Sequence, residues 1–275
     1  MSPTRSAAFF DHDKTIIAKS STLAFGKPFY DGGLLNRRAV LRSAYANFVF
    51  SISGADHDQL EKMRAYLTQM VTGWDVEVVR QSVAETLHSI IDPLVFEEAV
   101  LLIEEHQAAG RDVIIVSASG VEVVEPIGAM LGVDHVIATT LKVDDGRYTG
   151  DVDFYAYGPN KAVAMRALAE ERGYDLDASY AYSDSETDAP MLEAVGHPFA
   201  VNPDKVLRRI AEEKDWPVLI FARPVALRRR LGLDTRVGKA AAVAFVASAA
   251  GAIAMALVTR RKQGGSMGTR RLVRL

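Results

Sequence analysis

Ala7-Ala8-Phe9-Phe10-Asp11-His12-Asp13-Lys14-Thr15 is an apolar run that ends in two aspartates one residue apart. Side chains alternate along a strand, so a strand that ends in D-x-D-x-T leaves its sheet with two carboxylates on one face. Like charges held that close repel, and the arrangement is tolerable only where a cation neutralises them or one carboxyl keeps its proton. On these residues alone an Asx-rich turn after an edge strand is an equal alternative. The same alternation points His12 away from its flanking acids and so out of the chemistry.

Outward from this strand the pattern turns helical. Apolar residues at three-to-four spacing predict helices over 37–52, 57–72, 76–91 and 93–109, with starts marked by Asp56 and by Asp92-Pro93. Then strands and helices alternate: a buried strand at 112–116, a helix over Val121–Leu131, a strand at 136–138 and a hairpin around Asp145-Gly146. A helix over 160–172, a strand at 180–182, a short helix at 189–194, a strand at 199–201 and a helix opened by Asn202-Pro203 complete the series. Such alternation predicts the α/β class, a doubly wound, mostly parallel sheet with helices on both faces and its site at the carboxyl ends of the strands.

Three further segments end strands or open helices where that site should lie. Val113-Ile114-Ile115-Val116 delivers Ser117-Ala118-Ser119-Gly120, whose hydroxyl and following backbone N–H groups can bind an anion as the next helix begins, although small polar residues also end strands for no chemical reason. Lys161 opens a helix without the spacing of a Walker loop; it is either a point charge for phosphate or an ordinary solvated lysine. Tyr180-Ala181-Tyr182 leads into Ser183-Asp184-Ser185-Glu186-Thr187-Asp188, a second acidic cluster. Two such clusters suit a hard cation with oxygen ligands, and Mg²⁺ fits a site that must also hold phosphate.

Taken in order, these four segments resemble the haloacid dehalogenase-like superfamily of phosphohydrolases, in the branch that includes the phosphoserine phosphatases. The likeness runs over about 7–219, with motifs at Asp11-His12-Asp13-Lys14-Thr15, at Ser117, at Lys161 and at Asp184 with Asp188. It implies a phosphatase domain over 1–222 with an all-helical cap inserted at about 20–105. It further implies that Asp11 is the nucleophile that takes the phosphoryl group and that Asp13 is the acid and base, a task for a carboxyl whose pKa lies near the working pH. Ser117, the Ala118 N–H and Lys161 would hold phosphate oxygens, and Mg²⁺ would be held by the Asp11 carboxylate, the Asp13 main-chain carbonyl and Asp184, with Asp188 in support. Two positions depart from the branch. Its phosphoserine phosphatases place a glutamate nine residues after the nucleophile to meet the substrate ammonium, and Ser20 stands there, which disfavours phosphoserine. Lys14 occupies a place where a small or neutral residue is usual. Arg37, Arg38 and Arg42 of the insert either read the far end of the substrate or form a solvated helix face.

Composition sets the remaining limits. The chain has 275 residues, 49% of them hydrophobic, and no cysteine, so disulfides, thiolate nucleophiles and Cys-ligated metals are excluded and a reducing compartment is the default. The net charge of -3 hides an asymmetry: 12 Lys/Arg and one acid, Asp234, lie between 223 and 275, against 20 basic and 34 acidic residues elsewhere. The acidic body argues against nucleic acid as partner. Within the basic tail, 240–258 is 19 residues without a charge, ten of them Ala. At about 1.5 Å rise per residue this run matches a hydrocarbon layer of about 30 Å. We expect a basic linker at 223–236, a transmembrane helix at 237–259 and a basic tail at 260–275, with an Ala-rich soluble helix as the alternative. The expected protein is a single-pass cell-membrane phosphatase whose catalytic domain faces the cytoplasm and whose substrate is a small-molecule or lipid phosphomonoester. Phosphoryl transfer to an alcohol acceptor and an inactive, membrane-associated regulator of the same fold are the competing expectations.

Overall fold

Strand β1 (Ala7–Asp11) is buried along its whole length, and its AAFFD sequence shows why: with apolar residues on both alternating faces it belongs at the centre of a sheet that is covered on both sides. The computed structural model describes residues 5–31, 68–222 and 224. They all lie in the first of the two units into which the chain divides, Met1–Ala226 and Leu227–Leu275. The other strands are β2 (Asp112–Gly120), β3 (His135–Asp144), β4 (Arg147–Phe154), β5 (Tyr180–Ser183), β6 (His197–Val201) and β7 (Val218–Leu219). The sheet has the order β4-β3-β2-β1-β5-β6-β7, parallel throughout except for the β3/β4 hairpin. Chain order therefore reverses beside β1, the crevice at which α/β sheets bind ligands.

Ala7 and Phe9 join Ile114, Val116 and Ala181 in a core with Met165 and Ala169 of helix Pro159–Arg172, Met191 and Leu192 of Ala189–Leu192, and Leu207 and Ala211 of Lys205–Glu213. By strand alternation Asp11 lies on that same face, toward the helix that carries Lys161. Helices Glu97–Ala108 and Val121–Leu131 pack on β1, β2 and β3, giving the doubly wound arrangement expected from the sequence.

The helical insert is hung on two paired segments. Phe96 N–H donates to Ile16 O at 2.9 Å and Ala18 N–H to Leu94 O at 2.8 Å. This pairing breaks the helix expected over 93–109 into a 3-10 turn at Asp92–Leu94, extended residues at Val95 and Phe96, and helix Glu97–Ala108. Since that last helix packs on the sheet, the insert ends near Leu94 and not near 105. Helix Val76–Ile90, capped by the Asp75 side chain, docks with Trp74 and Phe29 against Tyr148 and Leu141 of the hairpin. Helix 37–52, most of 57–72, the arginines Arg37, Arg38 and Arg42, and the linker, apolar run and tail beyond residue 224 lie outside the described residues. Among the described residues no helix is long and apolar enough to cross a membrane.

The end of the sheet opposite the crevice depends on one close approach. Gly196 N–H donates to Leu176 O at 2.9 Å, and a Cβ at Gly196 would overlap the Asp177 carbonyl. Gly196→Ala should therefore lower the unfolding free energy by about 1–3 kcal/mol, read from the urea midpoint; an unchanged midpoint would contradict this packing.

Candidate active site

Lys161 owes its position to the way its helix starts. Gly158 adopts φ 56, ψ -130, a conformation suited to glycine, and Pro159 opens the helix. Lys161, Ala162, Met165 and Ala169 form the buried stripe of that helix, so the lysine points inward. Its Nζ lies 2.6 Å from Asp11 Oδ1 and 2.7 Å from Asp188 Oδ2, and all three side chains are buried. Asp188 Oδ2 also accepts from Ser183 Oγ at 2.7 Å, so β5 and the turn after it brace the lysine from the side opposite β1.

Burial pushes the Asp11 carboxyl up to about 6, against the opposing pull of Lys161. For Lys161 itself, burial favours loss of the proton, but the Asp11 and Asp188 carboxylates more than offset this and hold it cationic. Asp184, one residue beyond β5, rises to about 8, first through burial and then through the nearby Asp11 charge, with Lys14 pulling the other way. Burial and mutual repulsion thus favour a proton on one of these acids, and a further cation would relieve both.

Asp13 has a different setting. Ser21 N–H donates to its Oδ1 at 2.9 Å, and the hydroxyls of Ser20 and Ser119 donate to its Oδ2 at 3.2 and 3.4 Å. Burial opposes its charge, yet the adjacent His12 and the Ser21 donors hold its carboxyl below the usual carboxylate range. In this structure the surroundings of Asp13 favour its charged form. His12 also departs from expectation: its ring is fully buried and Nδ1 lies 3.1 Å from Asp13 Oδ1. That contact lacks the direction of a hydrogen bond, and both ring nitrogens are without a hydrogen-bond partner, so the ring acts on Asp13 through its proximity. The tight turn causes this placement, because Ile16 and Ile17 N–H both fold back to His12 O and carry Asp13 beside the ring.

Ser117 follows Val116, the register partner of Asp11, and the β2/β3 register shifts between Ser117 and Gly120. That irregularity re-aims the strand end. Ser117 Oγ accepts from Ser119 N–H at 3.2 Å, which leaves its own proton to donate. Thr139 Oγ1 donates to Ala118 O at 2.8 Å and accepts from Ala156 N–H at 3.2 Å, tying this strand end to the segment that leads to Lys161. The structure thus gathers Asp11, Asp13, Asp184, Asp188 and Lys161 into one charge cluster and sets Ser117 and Ala118 on the neighbouring strand end. Sequence reasoning missed the supporting hydroxyls, Ser183, Ser21 and Ser119; the run Ser117-Ala118-Ser119 was the only signal for any of them.

Among the described residues no group of three or more His, Asp or Glu side chains is arranged to hold a metal ion. Mg²⁺ asks for less than that, since it takes one or two carboxylates and keeps several waters. The buried, mutually repelling Asp11 and Asp184 suit it as hard oxygen donors.

Comparison with known proteins shows the family. Residues 8–193 match the family model described as haloacid dehalogenase-like hydrolase, and the chain belongs to that family. A Streptomyces azureus protein named for inhibition of morphological differentiation is 60% identical over 92% of both chains. A probable phosphatase of Mycobacterium tuberculosis H37Rv is 59% identical over 93% of this chain and 90% of its own. A phosphoserine phosphatase of the same strain is 32% identical over 93% and 81%. Among solved structures, a protein of unknown function from Bordetella pertussis Tohama I superposes with a TM-score of 0.70 at 29% identity, covering 78% of this chain and 98% of its own. A phosphoserine phosphatase holding a phospho-aspartyl intermediate analogue gives 0.57 at 21% identity over 84% and 100%, a likeness of fold.

The raised Asp184 carboxyl has a consequence for stability. Its folded pKa of about 8 against 3.8 unfolded means that the folded chain binds the extra proton between those values. Asp11 contributes in the same sense only up to about 6. His106, lowered to about 4 by burial and then by Arg111, acts in the opposite sense only up to 6.5. Among the described residues with a shifted pKa, Asp184 alone remains between about pH 6.5 and 8, so the metal-free chain should lose stability as pH rises through that window. Denaturant midpoints in chelator should fall with pH there and flatten in Asp184→Asn; a rising midpoint in the wild type would contradict the assignment.

Proposed function

We propose that this chain is a Mg²⁺-dependent phosphomonoester hydrolase that carries the phosphoryl group on Asp11. The observation that carries the reading is the buried Asp11 carboxylate, held 2.6 Å from a lysine and two residues from a second carboxyl at the strand ends. An Asp11 oxygen attacks phosphorus, the ester P–O bond breaks, and the leaving oxygen takes a proton from Asp13. Asp13 is hydrogen bonded as a carboxylate in this structure; an incoming phosphate anion raises its proton affinity and prepares it for that role. Asp13 then takes a proton from water, whose oxygen attacks the phosphorus of the acyl phosphate and restores the Asp11 carboxylate. Lys161, the Ser117 hydroxyl and the Ala118 N–H hold the equatorial oxygens as charge develops on them. Asp11, Asp184 and the Asp13 carbonyl would hold Mg²⁺, with Asp188 in support. Bound there, the cation supplies the charge neutralisation that lets an anionic nucleophile approach a phosphate.

The same proposal places the domain at the cytoplasmic side of the cell membrane. Its support is the uncharged run 240–258 between basic flanks. A tether raises the local concentration of enzyme at lipid-borne esters, so lipid phosphates stand beside small soluble ones as substrates.

Asp11→Asn should lower phosphate release with Mg²⁺, over a panel of phosphomonoesters, by at least about a thousandfold while the chain stays folded; equal release by both proteins would remove Asp11 from the chemistry. A chain truncated after Ala222 should leave the membrane fraction while the full chain stays in it, and co-sedimentation of both would contradict the tether.

A further inference from the structure

Lys14 takes no part in the chemistry above, yet its placement is unusual. It sits at the tip of the turn directly after Asp13 with φ 62, a left-handed conformation that long side chains rarely adopt. Its side chain is 65% exposed, and its ammonium lies 4.0 Å from Asp184 Oδ2. That distance is too long for a hydrogen bond, and with the Lys14 side chain largely in water the pair is held weakly. The ammonium is thus kept at the mouth of the site, beside the acids and open to water. Ser20 adds the complementary observation. It places a neutral hydroxyl nine residues after Asp11, and that hydroxyl donates to Asp13 at 3.2 Å. No negative charge from this position is available to a cationic substrate.

The leaving group must come within reach of Asp13, the residue that protonates it, and Lys14 is the next residue along the chain. We infer that Lys14 binds a second anionic group, a carboxylate or a further phosphate, on the leaving-group side of the substrate. This inference rests on the phosphomonoesterase reading and narrows it: the preferred esters carry negative charge beyond the reacting phosphate. A lysine suits this purpose because its compact charge accepts either anion without demanding the bidentate geometry of arginine.

Four esters of similar size separate the outcomes: phosphoethanolamine, whose leaving group is cationic; glycerol 3-phosphate, neutral; 3-phosphoglycerate, with a carboxylate; and 2,3-bisphosphoglycerate, with a second phosphate as well. Wild type should have its highest kcat/KM on the two anionic esters, and their relative rates tell which anion fits better. Lys14→Gln should reduce the ratio of 3-phosphoglycerate to glycerol 3-phosphate by about tenfold, mainly through KM. Lys14→Arg should recover the ratio, and Lys14→Glu should move the preference toward phosphoethanolamine. Equilibrium binding of the same esters to Asp11→Asn, with and without Lys14→Gln, should show the same order. A ratio left unchanged by Lys14→Gln, or a wild type that favours phosphoethanolamine, overturns the role of Lys14 and leaves the phosphatase reading intact. A wild type that matches Asp11→Asn on every ester removes both.

Discussion

The Lys161 ammonium, buried between the Asp11 and Asp188 carboxylates, is the constraint around which the catalytic end of the sheet is organised. Bringing such charges out of water carries a desolvation cost of several kcal/mol per ion, and removing one partner of a buried pair typically costs about 3–5 kcal/mol. Lys161 also lies in the first turn of its helix, where the backbone dipole disfavours a cation. Two carboxylates are therefore needed, and they come from separate parts of the chain. Asp11 ends β1 and Asp188 follows β5, and the sheet order makes these strands neighbours although more than 160 residues separate their starts. Ser183 then fixes Asp188, and Gly158 with Pro159 fixes the first turn of the lysine's helix.

The acids around this triad occupy different electrostatic settings, which suits them to different roles. Asp13 is stabilised as an anion by serine donors from the start of the insert and from the end of β2. Asp11 and Asp184 are pushed the other way by burial. Ser20 and Ser21 belong to the insert and Ser119 to the sheet, with Ser21 Oγ and Ser119 Oγ 2.9 Å apart. The orientation of Asp13 is consequently tied to how the insert sits on the core, a link between the insert and the proposed acid.

Much of this was legible in the sequence because the central strands and their helices are patterned by burial on both faces. The helix Val121–Leu131 has its expected bounds, and the helix expected over 160–172 differs by one residue, starting at Pro159. Sequence reasoning fell short where tertiary contacts override local pattern. β3 runs on to Asp144, past the expected 136–138, because β4 pairs with its half-exposed, polar continuation, which has little apolar signal. Asn202-Pro203 does not open the next helix: Asn202 takes φ 44 and its side chain bonds Phe221, while Asp204 caps Lys205–Glu213. β7 was not anticipated, being two residues that form a strand only by pairing with β6. At the site, the charged residues were visible as motifs, because charge at the end of an apolar strand demands a cause. The serines that orient them were not, since a hydroxyl in a loop is compatible with almost any role.

The central claim is that Asp11 bonds transiently to phosphorus, and the direct measurement is to catch that bond. Brief mixing of the enzyme with a phosphorus-labelled substrate, acid quenching and peptide mapping should place an acyl phosphate on Asp11, with none on Asp11→Asn. Label on Ser117, or rapid turnover with no labelled carboxylate at any time point, would contradict the account.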